Sequence, residues 1–415
     1  MTQPTIELIP LRNAVSHETA TTLDLLIRIT SPQTAEISDR PPLNIGLVID
    51  RSGSMHGAKL RYARQAACCA IEQLLPTDRV SVVIYDNKVE TLVSNTLVEN
   101  KEAILKKIKT LTLGGTTALH QGWLEGSIQV SQHIQSEAIN RVLLLSDGLA
   151  NVGETNPDVI ASDVMGLAQH GITTSTLGVG DDYNEDLMEA MANSGDGNYY
   201  YIEDPQELEA IFETELHGLV ATIGQKVTLN VTPQAGVVVE EVFNDLETTA
   251  SGEYQLPNLV VGNPINFVMR LKVPPLETSE SLCEINLSWN DREQSQRQQK
   301  TTSLQLPVVS KEELENYPFN SEVRQLLAQL QVARAKEEAI QCFDQGDYAK
   351  THQLLDSTME FCLDQEPEVA QSPEMEEEIE NLNNLKSDLS TGKTKKFRKK
   401  SSYQSYISRR SKKPK

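Results

Sequence analysis

Oxygen-bearing side chains stand where a buried strand is predicted to end. Leu43–Ile49 is an apolar run that leads into Asp50, and hydroxyl groups follow at Ser52 and Ser54. Such a run is typical of a strand that is covered on both faces of a parallel sheet. Ligands of open α/β sheets bind at the carboxyl edge of the strands. One carboxylate and two hydroxyls at alternate positions there indicate a site for a hard cation such as Mg²⁺, which prefers oxygen ligands.

Two later segments bring further oxygen donors to the same edge. Leu113–Leu119 contains two glycines and two threonines before a predicted helix, and Leu143–Asp147 is a second apolar strand that ends in a carboxylate. Because the strands of a parallel sheet end at one edge, we expect Asp50 and Asp147 to face one another. The sequence therefore predicts one oxygen-lined site that is built from three separate segments.

These residues resemble the metal-ion-dependent adhesion site of von Willebrand factor type A domains. The run from Asp50 to Ser54 reads D-x-S-x-S, the motif of that family, and Met55 follows it as is usual there. Asp147 stands in a Ser-Asp-Gly run that is similar to the second aspartate motif. Tyr199–Ile202 and the helix after it resemble the last strand and helix of bacterial soluble members. The resemblance covers roughly residues 43–223.

The resemblance implies a ligand set, a cofactor and a partner. Three hydroxyls would bind the metal directly, and two aspartates would act largely through bound water. The implied metal residues are Asp50, Ser52, Ser54, Thr117 and Asp147. Thr117 precedes a Gly-Trp pair by five residues as the family threonine does, and Thr116 is the alternative. Mg²⁺ is the expected ion, with Mn²⁺ or Ca²⁺ as alternatives. A partner protein with an exposed Asp or Glu would complete the coordination.

Two other interpretations of the Asp50 cluster are less favoured. A strand-end turn that caps the next helix would use Asp and Ser in this way, but it explains only one or two of the residues. An Asp-x-Asp phosphotransferase also begins at a strand end, but Ser52 stands where a general acid would be needed. Spacing indicates no Ser-His-Asp or Cys-His arrangement for nucleophilic catalysis. We therefore expect an interaction protein and not an enzyme.

The order of predicted elements indicates the fold class and the domains. Strands alternate with helices over residues 43–223, which predicts a doubly wound, mostly parallel α/β sheet. A period of two predicts a β-sandwich over residues 224–310, and residues 1–40 are expected to add strands to it. Helical periodicity predicts a hairpin over residues 311–364. Residues 365–415 are expected to be disordered, acidic first and then basic.

Charge is distributed very unevenly along the chain. The 415 residues have a formal net charge of −22, but Lys393–Lys415 contains eleven Lys and Arg and no Asp or Glu. This tail is interpreted as a solvated end, as a contact for an acidic protein surface such as the chain's own body, or as a contact for nucleic acid or anionic membrane. The last is least favoured, because charge alone is non-specific. A scaffold protein whose tail does the recognising is the alternative function.

Cysteine use and terminal composition bear on the compartment. The five cysteines are odd in number and lack C-x-x-C spacing, which favours free thiols in a reducing compartment. The first residues lack the basic and apolar regions of a signal peptide. No apolar run approaches the length of a membrane span. We therefore expect a cytoplasmic protein.

Overall fold

The chain forms two compact units. One comprises Glu36–Ala221 and is called the α/β unit, and the other comprises Met1–Ala35 with Thr222–Lys415 and is called the composite unit. The computed structural model describes residues 3–32, 40–135, 137–291 and 297–410. The chain therefore starts in the composite unit, forms the α/β unit, and then returns.

The first strands of the chain belong to the composite unit. They are β1 (Thr5–Pro10), β2 (Val15–Ser16) and β3 (Thr21–Thr30). β1 pairs with β3 in antiparallel register. Along β3, Leu23, Leu25, Ile27 and Ile29 recur at every second position and all enter one apolar core, as the two-residue period of a strand requires.

The α/β unit is organised around a single sheet. Its strands within the described residues are β4 (Leu43–Asp50), β5 (Arg79–Tyr85), β6 (Val89–Leu97), β7 (Ile139–Ser146), β8 (Ile172–Val179) and β9 (Tyr199–Ile202). Their order is β6-β5-β4-β7-β8-β9, and all pairs are parallel except β5 with β6. Every residue of β4 and β7 is buried, because both central strands are covered on both faces.

Helices lie between these strands and after the last of them. They are α1 (Ala58–Gln73), α2 (Lys101–Lys109), α3 (Leu119–Ser131), α4 (Pro157–Gln169), α5 (Glu185–Ser194) and α6 (Leu208–Val220). The side chains of Asn100, Asn156 and Asn184 accept backbone N–H bonds at the first turns of α2, α4 and α5. These caps satisfy helix donors that would otherwise have no partner, and so they determine where the helices begin.

Two glycines let α3 pack closely against the sheet. A Cβ on Gly126 would lie 2.2 Å from Val48 Cγ2, and a Cβ on Gly122 would lie 2.6 Å from the Tyr85 ring. Neither distance is possible between real atoms, so only glycine allows this approach. The start of α3 is thereby held beside the ends of β4 and β5, which matters because Thr117 lies two residues before this helix.

The composite unit continues with strands that pair with the first ones. They are β10 (Thr222–Pro233), β11 (Val238–Val242), β12 (Tyr254–Gln255), β13 (Leu259–Val260), β14 (Ile265–Val273), β15 (Ser281–Asp291), β16 (Arg297–Gln305) and β17 (Val308–Val309). One sheet has the order β1-β3-β14-β11, and the other has the order β12-β10-β15-β16 with β13 beside β10. Residues of both sheets share one apolar core, which makes the arrangement a sandwich.

Helices follow the sandwich in the composite unit. They are α7 (Lys311–Leu314), α8 (Ser321–Asp344), α9 (Tyr348–Leu363), α10 (Pro367–Ala370), α11 (Pro373–Ser390) and α12 (Thr394–Arg409). α8 and α9 form a hairpin whose turn contains Gly346 with a φ of 79°, a left-handed conformation that favours glycine. No helix in the described parts of the chain has the length and apolar character to cross a membrane.

The predicted disorder of residues 365–415 is wrong for Pro367–Arg409, which folds into α10, α11 and α12. In α11, Met375, Leu382 and Leu385 are fully buried on one helical face. In α12, Phe397 is fully buried, and its ring lies 5.4 Å from that of Phe343 in α8. The last five residues, 411–415, lie outside the described part of the chain.

Paired charges and small buried side chains accommodate the polar residues of α12 around its buried phenylalanine. The guanidinium of Arg398 in α12 donates to both oxygens of the Asp344 carboxylate, at 2.9 Å to Oδ1 and at 2.8 Å to Oδ2. Ser405 is buried and donates to the backbone carbonyl of Ala333 at 3.1 Å. Small hydroxyl residues let the helix approach its neighbour, and the basic residues meet acidic ones on the same unit. Composition alone does not reveal either effect.

Candidate metal-ion site

The two predicted aspartates lie at the same edge of the sheet. β4 ends at Asp50, and β7 ends at Ser146, directly before Asp147. β4 and β7 are parallel neighbours, with Ile49 opposite Leu145. Both aspartate side chains therefore leave adjacent strands at their carboxyl ends, where open α/β sheets bind ligands.

Hydrogen bonds hold the carboxylate of Asp50 in a fixed orientation. Its Oδ1 accepts the backbone N–H of Ser52 at 2.7 Å, and its Oδ2 accepts the hydroxyl of Ser146 at 2.8 Å. Burial raises the pKa of Asp50 to about 6, and the neighbouring charge of Asp147 adds to this effect, although the bonds from Ser52 and Ser146 oppose it. The site therefore concentrates negative charge that a cation would neutralise.

The three predicted hydroxyls line one small space. Ser52 Oγ lies 3.0 Å from Ser54 Oγ, and Ser54 Oγ donates to Asp147 Oδ1 at 2.7 Å. A Cβ on Gly148 would lie 3.3 Å from both Ser54 Oγ and Thr117 Oγ1, and 3.9 Å from Ser52 Oγ. Hydroxyl oxygens from two distant segments thus surround a point beside Asp147, and the lack of a side chain at Gly148 leaves that point open.

This set of donors fits a hard divalent cation. Carboxylate and hydroxyl oxygens are the ligands that such ions take, and Mg²⁺ keeps some of its water. The two carboxylates and three hydroxyls would hold the ion and orient that water. Within the residues that the structure describes, no three His, Cys, Asp and Glu side chains group into a different metal site. Asp50, Ser52, Ser54, Thr117 and Asp147 are therefore the candidate metal residues.

Backbone hydrogen bonds hold the threonine loop against the D-x-S-x-S loop. Gly114 N–H donates to the carbonyl of Arg51 at 2.8 Å, and Gly53 N–H donates to the carbonyl of Gly115 at 2.9 Å. Thr117 is buried, at 3% exposure, whereas Thr116 is exposed. The structure therefore brings Thr117, and not Thr116, to the hydroxyl cluster.

Asp86 and Asn151 shape the site although the sequence did not predict them. Asp86 follows β5, accepts the N–H of Ala118 on its backbone carbonyl at 2.8 Å, and would overlap any Cβ on Gly114. Asn151 Oδ1 accepts the N–H of Thr117 at 2.9 Å. Both residues fix the backbone around the threonine. A polar residue directly after the end of β5 was a signal for Asp86, but no sequence pattern indicated Asn151.

The cations near the site have different roles. Lys59 Nζ donates to Asp147 Oδ2 at 2.5 Å, a contact that the sequence did not predict. Arg51 lies 3.2 Å from the Asp86 carboxylate and 3.6 Å from that of Glu90. The guanidinium of Arg51 is therefore held by the chain's own carboxylates.

The fold and the site define an α/β domain with oxygen donors at the carboxyl edge of a mostly parallel sheet. Residues 44–214 match the family model of the von Willebrand factor type A domain. The chain therefore contains a domain of this family, which confirms the resemblance of the sequence motifs.

Curated relatives match the chain over part of their length. An uncharacterized protein of Synechocystis sp. is 33% identical over 217 residues, which are 51% of this chain and 51% of the relative. Inter-alpha-trypsin inhibitor heavy chain H3 of Homo sapiens is 29% identical over 179 residues, which are 40% of this chain and 20% of the relative. The chain spans about half or less of the length of these relatives.

Solved structures share the fold over most of the chain. A von Willebrand factor type A protein from Catenulispora acidiphila aligns with a TM-score of 0.70 at 15% identity, covering 92% of this chain and 90% of that one. The ArnB paralog VWA2 from Sulfolobus acidocaldarius aligns with a TM-score of 0.64 at 20% identity, covering all of both chains. The predicted fold class, with a central parallel sheet and a C-terminal helical region, is confirmed.

Proposed function

We propose that this chain binds a partner protein through a divalent cation, with Mg²⁺ as the expected ion. The observation that carries the proposal is the convergence of Ser52, Ser54 and Thr117 on one space beside Asp147. Domains of the matching family commonly mediate protein–protein interactions, which supports an interaction role over an enzymatic one.

The chemistry of the site suggests what the partner offers. Neutral hydroxyls as direct ligands neutralise little of the ion's charge, so the ion retains affinity for a further anionic oxygen. An exposed Asp or Glu side chain of the partner would supply that oxygen. The two aspartates of the chain would orient bound water, and the hydrogen bonds to Asp50 from Ser52 and Ser146 prepare one of them for this role.

The alternative function, recognition by a basic tail, receives no support from the contacts of α12. Phe397, Ser401 and Ser405 of that helix are buried in the composite unit. Arg398 is paired with Asp344 of the same unit. The basic segment is thus used for packing along most of its described length, and we place recognition at the metal residues instead.

The first test is Mg²⁺ binding by the full chain, measured by titration calorimetry. Thr117→Ala should weaken binding at least tenfold, which corresponds to about 1.4 kcal/mol, because it removes one proposed ligand. Thr110→Ala is the matched control, since Thr110 is exposed and bonds only locally to the carbonyl of Lys107. Equal binding by the native chain and by Thr117→Ala would rule out the proposed ligand set.

The second test concerns the partner. The immobilised chain is used to capture proteins in Mg²⁺ and then washed with EDTA. A partner of the proposed kind is released by EDTA, is not captured by Thr117→Ala, and is captured normally by Thr110→Ala. Replacing its contacting Asp or Glu by the corresponding amide should abolish capture. A partner that stays bound in EDTA and binds Thr117→Ala equally well would contradict the proposal.

The cytoplasmic location expected from the sequence stays a proposal. All five cysteines are free in the structure, and Cys283, Cys342 and Cys362 are buried. Free buried thiols are usual where the surroundings are reducing. Fractionation of cells that produce the natural protein would test the location directly.

A further inference from the structure

Lys59 is built into the candidate site by two features of the fold. It is the second residue of α1, and its Nζ donates to Asp147 Oδ2 at 2.5 Å, while the other oxygen of that carboxylate accepts the Ser54 hydroxyl. Its aliphatic stem passes Gly180, where a Cβ would lie 3.3 Å from Lys59 Cε and 3.4 Å from Nζ. Gly180 has a φ of 75° and no side chain, so the space beside it is open to the Lys59 side chain, which extends through it to Asp147.

The surroundings of Asp147 make this ammonium important. The side chain of Asp147 has no exposed surface, and Asp50 on the neighbouring strand is buried as well. A buried carboxylate without a partner is strongly destabilising. Arg51 does not serve this purpose, because it pairs with Asp86 and Glu90. Lys59 therefore supplies positive charge at the same carboxylate that a bound divalent cation would use.

We propose that Lys59 is an internal counter-ion that competes with the divalent cation for Asp147 and thereby sets the metal affinity of the site. The proposal rests on the proposed function, because it concerns the same site. Two positive charges beside one carboxylate repel one another, and the repulsion is strong where solvent is excluded. The ammonium also compensates Asp147 when the metal is removed, so the fold does not depend on metal. The fraction of sites that hold metal then depends on the free concentration of the divalent cation.

The experiment compares three variants of the full chain by Mg²⁺ titration calorimetry at pH 8. Lys59→Met keeps the length of the stem but removes the charge, and it should bind Mg²⁺ at least tenfold more tightly than the native chain. Lys59→Arg keeps the charge and should bind within about threefold of the native chain. Lys106→Met removes an equal charge from an exposed position on α2 and should leave the affinity unchanged. Unchanged or weaker binding by Lys59→Met would overturn the proposal.

Thermal unfolding supplies a readout that does not depend on calorimetry. In EDTA, Lys59→Met should melt at a lower temperature than the native chain, because Asp147 has lost its counter-ion. Saturating Mg²⁺ should raise the melting temperature of Lys59→Met more than that of the native chain, as tighter binding to the folded state requires. A Lys59→Met variant that melts like the native chain in both solutions would also contradict the inference.

The outcomes separate this inference from the proposed function. If the native chain binds no Mg²⁺ but Lys59→Met binds it, the competition is supported and the metal-dependent function of the native chain fails. If the native chain binds Mg²⁺ and Lys59→Met binds it equally, the function stands and the role of Lys59 fails. If neither binds, both fail.

Discussion

Replacing Gly148 by alanine tests the proposed location of a bound Mg²⁺ directly. The added Cβ would lie 3.3 Å from Ser54 Oγ and from Thr117 Oγ1, and 3.9 Å from Ser52 Oγ. Magnesium contacts its oxygen ligands at about 2.0–2.1 Å and keeps several waters. A methyl group among the same three oxygens takes space that the ion and its water need. We expect Gly148→Ala to weaken Mg²⁺ binding at least tenfold, or by about 1.4 kcal/mol.

The fold should tolerate this change. Gly148 does not have a left-handed φ, so alanine introduces no backbone strain there. The closest contacts are only a few tenths of an ångström shorter than ordinary ones. Alanine also makes the unfolded chain less flexible than glycine does, and this raises the free energy of unfolding. The increase offsets part of the free energy that the crowded contacts cost. The free energy of unfolding in EDTA, measured with urea, should therefore change by no more than about 1 kcal/mol.

Gly166→Ala is the matched control. Gly166 lies inside α4, and apart from its chain neighbours and the helix's own backbone no atom would lie within 4 Å of its added Cβ. This variant should bind Mg²⁺ like the native chain and gain about 0.5–1 kcal/mol in stability, because alanine favours helix over glycine. If Gly148→Ala remains folded and binds Mg²⁺ as tightly as Gly166→Ala, the ion does not lie among these hydroxyls and the assignment is refuted.

The pKa of Asp50 is raised to about 6, so a proton competes with Mg²⁺ for this carboxylate below pH 7. The Mg²⁺ affinity measured by calorimetry should therefore fall roughly tenfold from pH 7 to pH 5. An affinity that does not change with pH would contradict this. Phe397→Ala should lower the free energy of urea unfolding of the composite unit by about 3–5 kcal/mol, because it leaves a cavity at a fully buried position. Arg398→Ala should lower it by less than about 1 kcal/mol, because it removes only a partly exposed ion pair. Equal effects would contradict the packing of α12. Burial raises the thiol pKa of Cys283 and of Cys362 to about 11, so both should react slowly with a thiol reagent at pH 8. The partly exposed Cys68 and Cys69 should react first, as mass spectrometry of the labelled chain would show.

The core of the site was predictable because its strongest part is local. Asp50, Ser52 and Ser54 lie within five residues at the end of an apolar strand, and a strand that ends in this way places them at the sheet edge by backbone geometry alone. Asp147 was predictable by the same reasoning, since β7 is as apolar as β4. Thr117 needed the resemblance to a family, because Thr116 is chemically identical. The burial of Thr117 distinguishes the two in the structure.

Residues that contact the candidate metal residues from other parts of the chain were not predictable. Lys59 lies in the first turn of a helix, where a lysine is usually solvated. Its side chain reaches Asp147 because the space beside Gly180 is open. Asn151 lies in a loop after β7, and its contact with Thr117 depends on how two loops meet. β6 could not be recognised as an apolar run either, because it is an edge strand with a partner on one side only and most of its side chains are not buried.

The sequence by itself determined most strand and helix periods of the α/β unit and the oxygen-donor motif from which we propose a hard divalent cation, because these depend on spacing along a few residues. Only the tertiary structure decided which donors meet, that Lys59 reaches Asp147, and that the basic C-terminal segment packs as α12. These outcomes depend on distances between segments far apart in the chain. Complementary charge and close packing of small residues act across those distances, and no local pattern encodes them.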